Sequence, residues 1–227
     1  MLLRIDVRGT SKSSVKGDDM IVKQFNLTQG DSQKVFQEYV DLVKSMDDKY
    51  SVPLLKMMED LGERLFFAPA SNNLKYHNCF RGGLVEHSLR VYKNLRKAMN
   101  AHMPHEDYQD SIKLVALFHD LGKVGSFDED YFIPQTNEWR RENLGEYYTH
   151  NDKLLFMDTA HRSLRWLSHY GVPMTDEEYQ AILIHDGQYI EANKRYAHKE
   201  CMLALLLHQA DMLACKQEHE MWKEYNE

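Results

Sequence analysis

"LVALFHDLGKVG", residues 114–125, is a run of apolar residues that stops at an imidazole and a carboxylate, His119 and Asp120. The run reads as a buried helix over about 108–122, with "GKVG" as its stop. Both polar groups cost free energy to desolvate, on the order of several kcal/mol for an ionised carboxylate that nothing pairs with. A divalent cation offsets that cost, because neutral imidazole and carboxylate are its natural ligands.

The same pattern, an apolar helical stripe broken by one ligand-type residue, recurs elsewhere. A helix over about 83–100 carries Leu84, His87, Val91 and Leu95 on one stripe, so His87 faces the core. "AILIH" (181–185) ends on His185. In "LALLLHQADMLAC" (203–215), Asp211 shares a stripe with Ala204, Leu207 and Ala214/Cys215, within a long helix over about 198–222. Each of these residues alone has an ordinary core role, such as donating to a carbonyl or capping a neighbouring helix. Several buried His and Asp residues in one domain call for one shared explanation, and a common cation provides it.

The rest of the chain is mostly helical in period. Val35, Tyr39, Leu42/Val43 and Met46 form one helix that Asp31 or Ser32 is placed to cap. Pro53 is expected to open a second helix through "LLKMMEDLGERLFF", ended by the loop "APASNN". Further helices are expected over 153–170 and 175–186; in the latter, Thr175 and Glu178 have capping-box spacing and Gly187 is placed to terminate. Residues 131–148, "YFIPQTNEWRRENLGEYY", break the helical pattern and suggest a small β-hairpin or irregular flap with a turn at "QTNE". The balance predicts an all-α fold.

At 227 residues, with 43% hydrophobic and 28% charged residues, the chain can bury one sizeable core, and no linker splits it. Residues 1–30 read as an N-terminal arm, its polar stretch 9–19 expected to be mobile, and 31–227 as one domain. The longest apolar run, Cys201 to Leu207, is far below the roughly 18 residues of a membrane span, and Arg4 and Asp6 interrupt the start, so no membrane partner and a cytoplasmic location are expected. The three cysteines form no C-x-x-C pair, which argues against a disulfide framework or a thiolate zinc site. A net charge of −7 argues against gripping extended nucleic acid, while small anionic substrates need only a local basic patch or a metal. Oligomeric state is open, a homo-oligomer included.

Read together, "RGGLVEHSL" (81–89), "ALFHDLGKVG" (116–125) and "LLHQADMLA" (206–214) have the order H…HD…D, which resembles the HD superfamily of metal-dependent phosphohydrolases from about Lys75 to Glu218. The resemblance implies an HD-domain helical bundle in which His87, His119, Asp120 and Asp211 bind a divalent metal ion, whether Mn, Fe, Co, Ni, Zn or Mg. Oxygen and nitrogen ligands alone are expected, since no cysteine stands at a suitable position in those segments. His185 resembles a further family His that binds a second metal or a substrate phosphate. Many relatives place another His where Thr159 stands here, with Ser163 in register, so one metal is the simpler expectation. His150 and His161 are then candidates for lining the phosphate pocket. Lys123, one turn after His119, suits a phosphate oxygen, and Arg81 and Arg162 are anion-binding candidates. His102, His105, His169 and His219 are expected at the surface.

The implied activity is hydrolysis of a phosphoester bond, in a nucleotide or related small phosphorylated metabolite, by a metal-activated water. Asp120 or Asp211 would relay the proton, with His185 and Lys123 stabilising charge on the transferred group. The alternatives are a 3'-5' exonuclease on short single strands and a non-catalytic nucleotide-sensing module.

Overall fold

The computed structural model describes residues 29–104 and 107–226, with side chains over 33–104 and 107–224. The arm expected over 1–30 and the surface role expected for His105 therefore lie, apart from Gln29 and Gly30, outside the described residues. Among the described residues the architecture is helical with one small antiparallel pair of strands, as the sequence pattern predicts. In chain order the elements are α1 (Gln29–Lys44), α2 (Asp48–Leu61), α3 (Glu63–Phe67), α4 (Gly83–His102), α5 (Gln109–Phe118), a 3-10 turn (Leu121–Val124), β1 (Phe132–Pro134), α6 (Glu138–Leu144), β2 (Tyr148–His150), α7 (Thr159–His169), α8 (Asp176–Leu183), a 3-10 stretch (Glu191–Tyr196) and α9 (Met202–Asn226). Among the described residues no helix is long and apolar enough to cross a membrane.

Helix α4 is the centre of the bundle, with α9 along one side and α5 along another. Leu84, Val91, Leu95 and Met99 face inward from α4, and Leu203, Leu207, Ala210 and Ala214 from α9. Their burial brings the predicted His87 and Asp211 stripes face to face. Helix α8 closes the far end through the predicted capping box: Thr175 accepts from the Glu178 N–H, and Glu178 accepts from the Thr175 N–H. That carboxylate is fully buried and also accepts from Ser111 Oγ (2.7 Å) and Tyr50 Oη (3.1 Å), so one cap ties α8 to α5 and α2.

Five local expectations need correction. Helix α1 already begins at Gln29, so Asp31 and Ser32 lie within its first turn and not at its cap. Pro53 lies inside α2 and does not open it; Asp47 caps the start by accepting from the Lys49 N–H. The single helix expected after Pro53 breaks at Gly62, whose φ of +53° suits glycine, so α2 and α3 are separate. "QTNE" is not a hairpin turn, because Asn137 caps α6, which is inserted between β1 and β2; the strands still pair, Phe132 opposite His150. The helix expected from 153 begins at Thr159, preceded by a loop that exposes Leu155 and Phe156.

Candidate metal centre

The turn after α5 carries His119 and Asp120, and its shape depends on close packing against α7. Ser163 Oγ donates to the His119 carbonyl (2.7 Å) and accepts from the Gly122 N–H (2.8 Å), which holds the turn at both ends. A Cβ on Gly122 would lie 2.2 Å from the Thr159 carbonyl oxygen, so only glycine lets the turn sit this near α7. Gly83 has the same function at the start of α4, where a Cβ would meet the Asn78 carbonyl oxygen at 2.2 Å. Gly83 and Gly122 of the quoted motifs are thus explained by close backbone approach.

Four imidazoles and two carboxylates meet in the space these turns frame. His87, His119 and Asp120 present donor atoms within 4.8 Å of one another, as do His119, His185 and Asp211. His87 Nε2 lies 3.1 Å from Asp211 Oδ1 and 3.8 Å from Asp120 Oδ2, and His119 Nε2 lies 3.5 Å from Asp120 Oδ2. His185 Nε2 is 3.4 Å from Asp120 Oδ1. The structure thus brings together the four ligands implied by the resemblance, and His185 with them. The fourth imidazole, His77, was not singled out in the sequence. It precedes α4 in a loop without helical period, and a periodicity argument has no purchase there.

The far side of each ring is tied down. His87 Nδ1 faces the buried Glu218 carboxylate (3.1 Å), His119 Nδ1 the Ala116 carbonyl (2.9 Å) and His185 Nδ1 the Ile182 carbonyl (2.8 Å). Since these oxygens only accept, each Nδ1 donates and each Nε2 is turned toward the cluster. His87 Nε2 and His119 Nε2 are nevertheless buried without an aligned hydrogen bond, even though the former is so near Asp211. A buried, unsatisfied polar atom costs about 1–3 kcal/mol. Two such nitrogens beside two carboxylates are the donor set of a divalent cation, and the residues fit one.

The charges agree. Burial opposes protonation of His87, but the Glu218 charge and the contact with Asp211 outweigh it and lift its pKa to about 10. His185 likewise rises to about 9, burial being overcome by Asp186 and Asp120. Burial dominates at His119 and lowers it to about 4. Asp120 stays ionised: burial would raise its pKa, but Lys123, His119 and His185 hold it well below the usual range, with Lys123 Nζ 2.6 Å from Oδ2. Asp211 is lowered in the same sense, burial being outweighed by its contact with His87.

The other predicted site residues stand apart. Among the described residues, none of Arg81, His150, His161 and Arg162 makes a hydrogen bond or ion pair with the cluster. Arg81 stacks its guanidinium on Phe67 (3.5 Å to the ring centroid). Buried Arg162 donates to the Leu155 carbonyl and braces the loop before α7. His161 is exposed beside Asp158 (3.5 Å), and His150 is exposed with its ring packed near Phe132. His102 and His169 are exposed as expected, whereas His219 has a buried Nδ1. The expectation that no cysteine is suitably placed is corrected: Cys215, one turn beyond Asp211, has its Sγ 3.5 Å from Asp211 Oδ1.

Neither the curated proteins nor the solved structures contain a match to this chain. The HD domain family matches residues 84–214, which begin just before His87 and end just after Asp211 and so enclose the H…HD…D ligand set. With more than half its length matched, and with these side chains converging in a helical bundle, the chain belongs to the HD-domain superfamily of metal-dependent phosphohydrolases.

Proposed function

We propose that this protein hydrolyses a phosphoester bond of a nucleotide. The observation that carries the reading is the convergence of His87, His119, Asp120 and Asp211, with Nδ1 of each imidazole tied back so that Nε2 faces the carboxylates. These four residues would hold the divalent ion. A cation held there polarises a phosphoryl oxygen and lowers the pKa of bound water from about 15.7 toward 7.

The surrounding residues have distinct tasks. Asp120 and Asp211 are held ionised and can accept a hydrogen bond from the attacking water and orient it, Asp120 being the one whose oxygens face both His185 and Lys123. Lys123 and His185 carry positive charge into a nearly dry site, where they are suited to the oxygens of a transferred phosphoryl group. His150, His161, Arg81 and Arg162 remain candidates for the outer part of a substrate site.

A nucleotide is favoured by a cavity of about 410 Å³ beside His185. Its walls include Ile184 and Gly187, which flank His185, and His208, which donates to the His185 carbonyl (2.8 Å). Tyr189, Tyr196, Gln188 and Asn193 add aromatic faces and amide groups, the chemistry that stacks and hydrogen-bonds a base. The test is phosphate release from a panel of nucleotides and non-nucleotide phosphomonoesters, with manganese added and with single-stranded oligonucleotide as a further arm. Release from nucleotides, reduced at least tenfold for sugar phosphates, supports the reading. Equal release from all small phosphoesters removes the nucleotide, and release from oligonucleotides alone replaces it with a nuclease.

A further inference from the structure

The ligand set does not end at His87. His77, His87 and Cys215 also present donor atoms within 4.8 Å of one another. The His77 ring lies 4.6 Å from that of His87, and its Nε2 is buried with no hydrogen-bond partner among the described residues. Cys215 Sγ sits 3.5 Å from Asp211 Oδ1.

This placement is built into the backbone. Asn78 adopts φ +40°, a conformation that asparagine tolerates better than most residues. Its carbonyl accepts from the Ala70 N–H (3.1 Å), and its side chain donates to the Gly83 carbonyl (3.3 Å). The loop carrying His77 is thereby pinned to the start of α4.

We infer that His77 and Cys215, with the Asp211 carboxylate as a bridge, form a second cation site containing sulfur, beside the ion held by His87, His119 and Asp120. One imidazole nitrogen serves one ion, so His87 Nε2 belongs to the first site and His77 supplies nitrogen to the second. Asp211 Oδ1 faces both His87 Nε2 (3.1 Å) and Cys215 Sγ (3.5 Å), so this carboxylate lies between the two sites. On binding, the Cys215 thiol gives its proton to solvent and the sulfur bonds the cation. Thiolate with imidazole selects zinc, cobalt or ferrous iron over magnesium. The inference departs from the single-ion expectation, which followed from Thr159 standing where many relatives have His, and it rests on the cation reading of the centre.

Cobalt(II) titration of the whole protein tests it, because sulfur ligation produces a near-ultraviolet charge-transfer band that nitrogen and oxygen ligands do not. Two equivalents and this band are expected for the wild type. Cys215→Ser should abolish the band, and His77→Ala should lower the bound cobalt from two equivalents to one. The visible bands of the first ion should persist in both variants, and those bands also report that each variant is folded. One equivalent without a charge-transfer band in the wild type overturns the second site and leaves the first intact. A band and metal content unchanged in His77→Ala overturn it equally. No cobalt bound at all overturns the proposed centre and this inference together.

Discussion

The bundle core and the β1–α6–β2 flap with its following loop use histidine in opposite ways. In the core, His87, His119 and His185 are almost fully buried, each with Nδ1 fixed and Nε2 directed at a carboxylate. In the flap and at the start of α7, His150 and His161 are exposed. The buried rings have lost their water and gained a defined direction. The exposed ones have a proton-binding nitrogen but no enforced geometry. Ligand quality therefore comes from what holds the far side of the ring.

The largest effect is expected from Asp211→Asn, which keeps the side-chain shape and removes the charge facing His87. Bound metal and phosphohydrolase activity should both fall at least about 100-fold, while far-ultraviolet circular dichroism stays helical. Full metal content after dialysis would remove Asp211 from the ligand set. Glu218→Gln touches no ion directly but loosens the anchor on His87 Nδ1, and metal affinity should drop about 10- to 100-fold. An unchanged affinity would show that anchoring is not what distinguishes core from flap.

The pH dependence follows from the same contacts. In the metal-free protein the pKa of His87 is lifted to about 10, so near pH 8 it holds a proton that a cation must displace, while His185, at about 9, keeps its charge. Metal affinity should rise with pH up to about 10, with proton release measurable in weak buffer. The stability of the metal-free protein has the opposite slope on this side. A histidine whose folded pKa is raised above 6.5 stabilises below 6.5 and loses that contribution as pH rises through 9 to 10. His119 is depressed to about 4, so its contribution is present above 6.5 and is lost as pH falls toward 4. Thermal denaturation of metal-free protein should therefore show highest stability near neutral pH; a steady rise to pH 10 would contradict the assigned contacts.

Gly122→Ala should cost about 1–3 kcal/mol by pushing the His119–Asp120 turn off α7, seen as a lower melting temperature. An unchanged melting temperature would mean the turn is freer than the 2.2 Å approach implies. The smallest effect is expected from His161→Ala, where turnover should stay within about twofold because an exposed ring near Asp158 has little fixed geometry to lose. A tenfold loss would make the flap side part of the substrate site.

The amino-acid sequence by itself determined the helical class, the inward stripes of α4 and α9, the capping box of α8 and the places where His87, His119, Asp120, His185 and Asp211 interrupt apolar runs. All of these are written in local period or local motif, where burial of a stripe leaves a side chain only one direction to face. It also placed a non-helical flap at 131–148, though not the helix α6 within it, because a short exposed helix without a buried face leaves no apolar period to read. Pro53 misled for a related reason: proline marks a helix start only when no earlier residue caps it, and Asp47 does. Only the tertiary structure decided that Glu218 orients His87, that Ser163 and Gly122 hold the His119–Asp120 turn against α7, and that His77 and Cys215 reach the centre. Those contacts join segments far apart in the chain, one of them a loop with no period, and they exist only once α4, α5, α7 and α9 have packed.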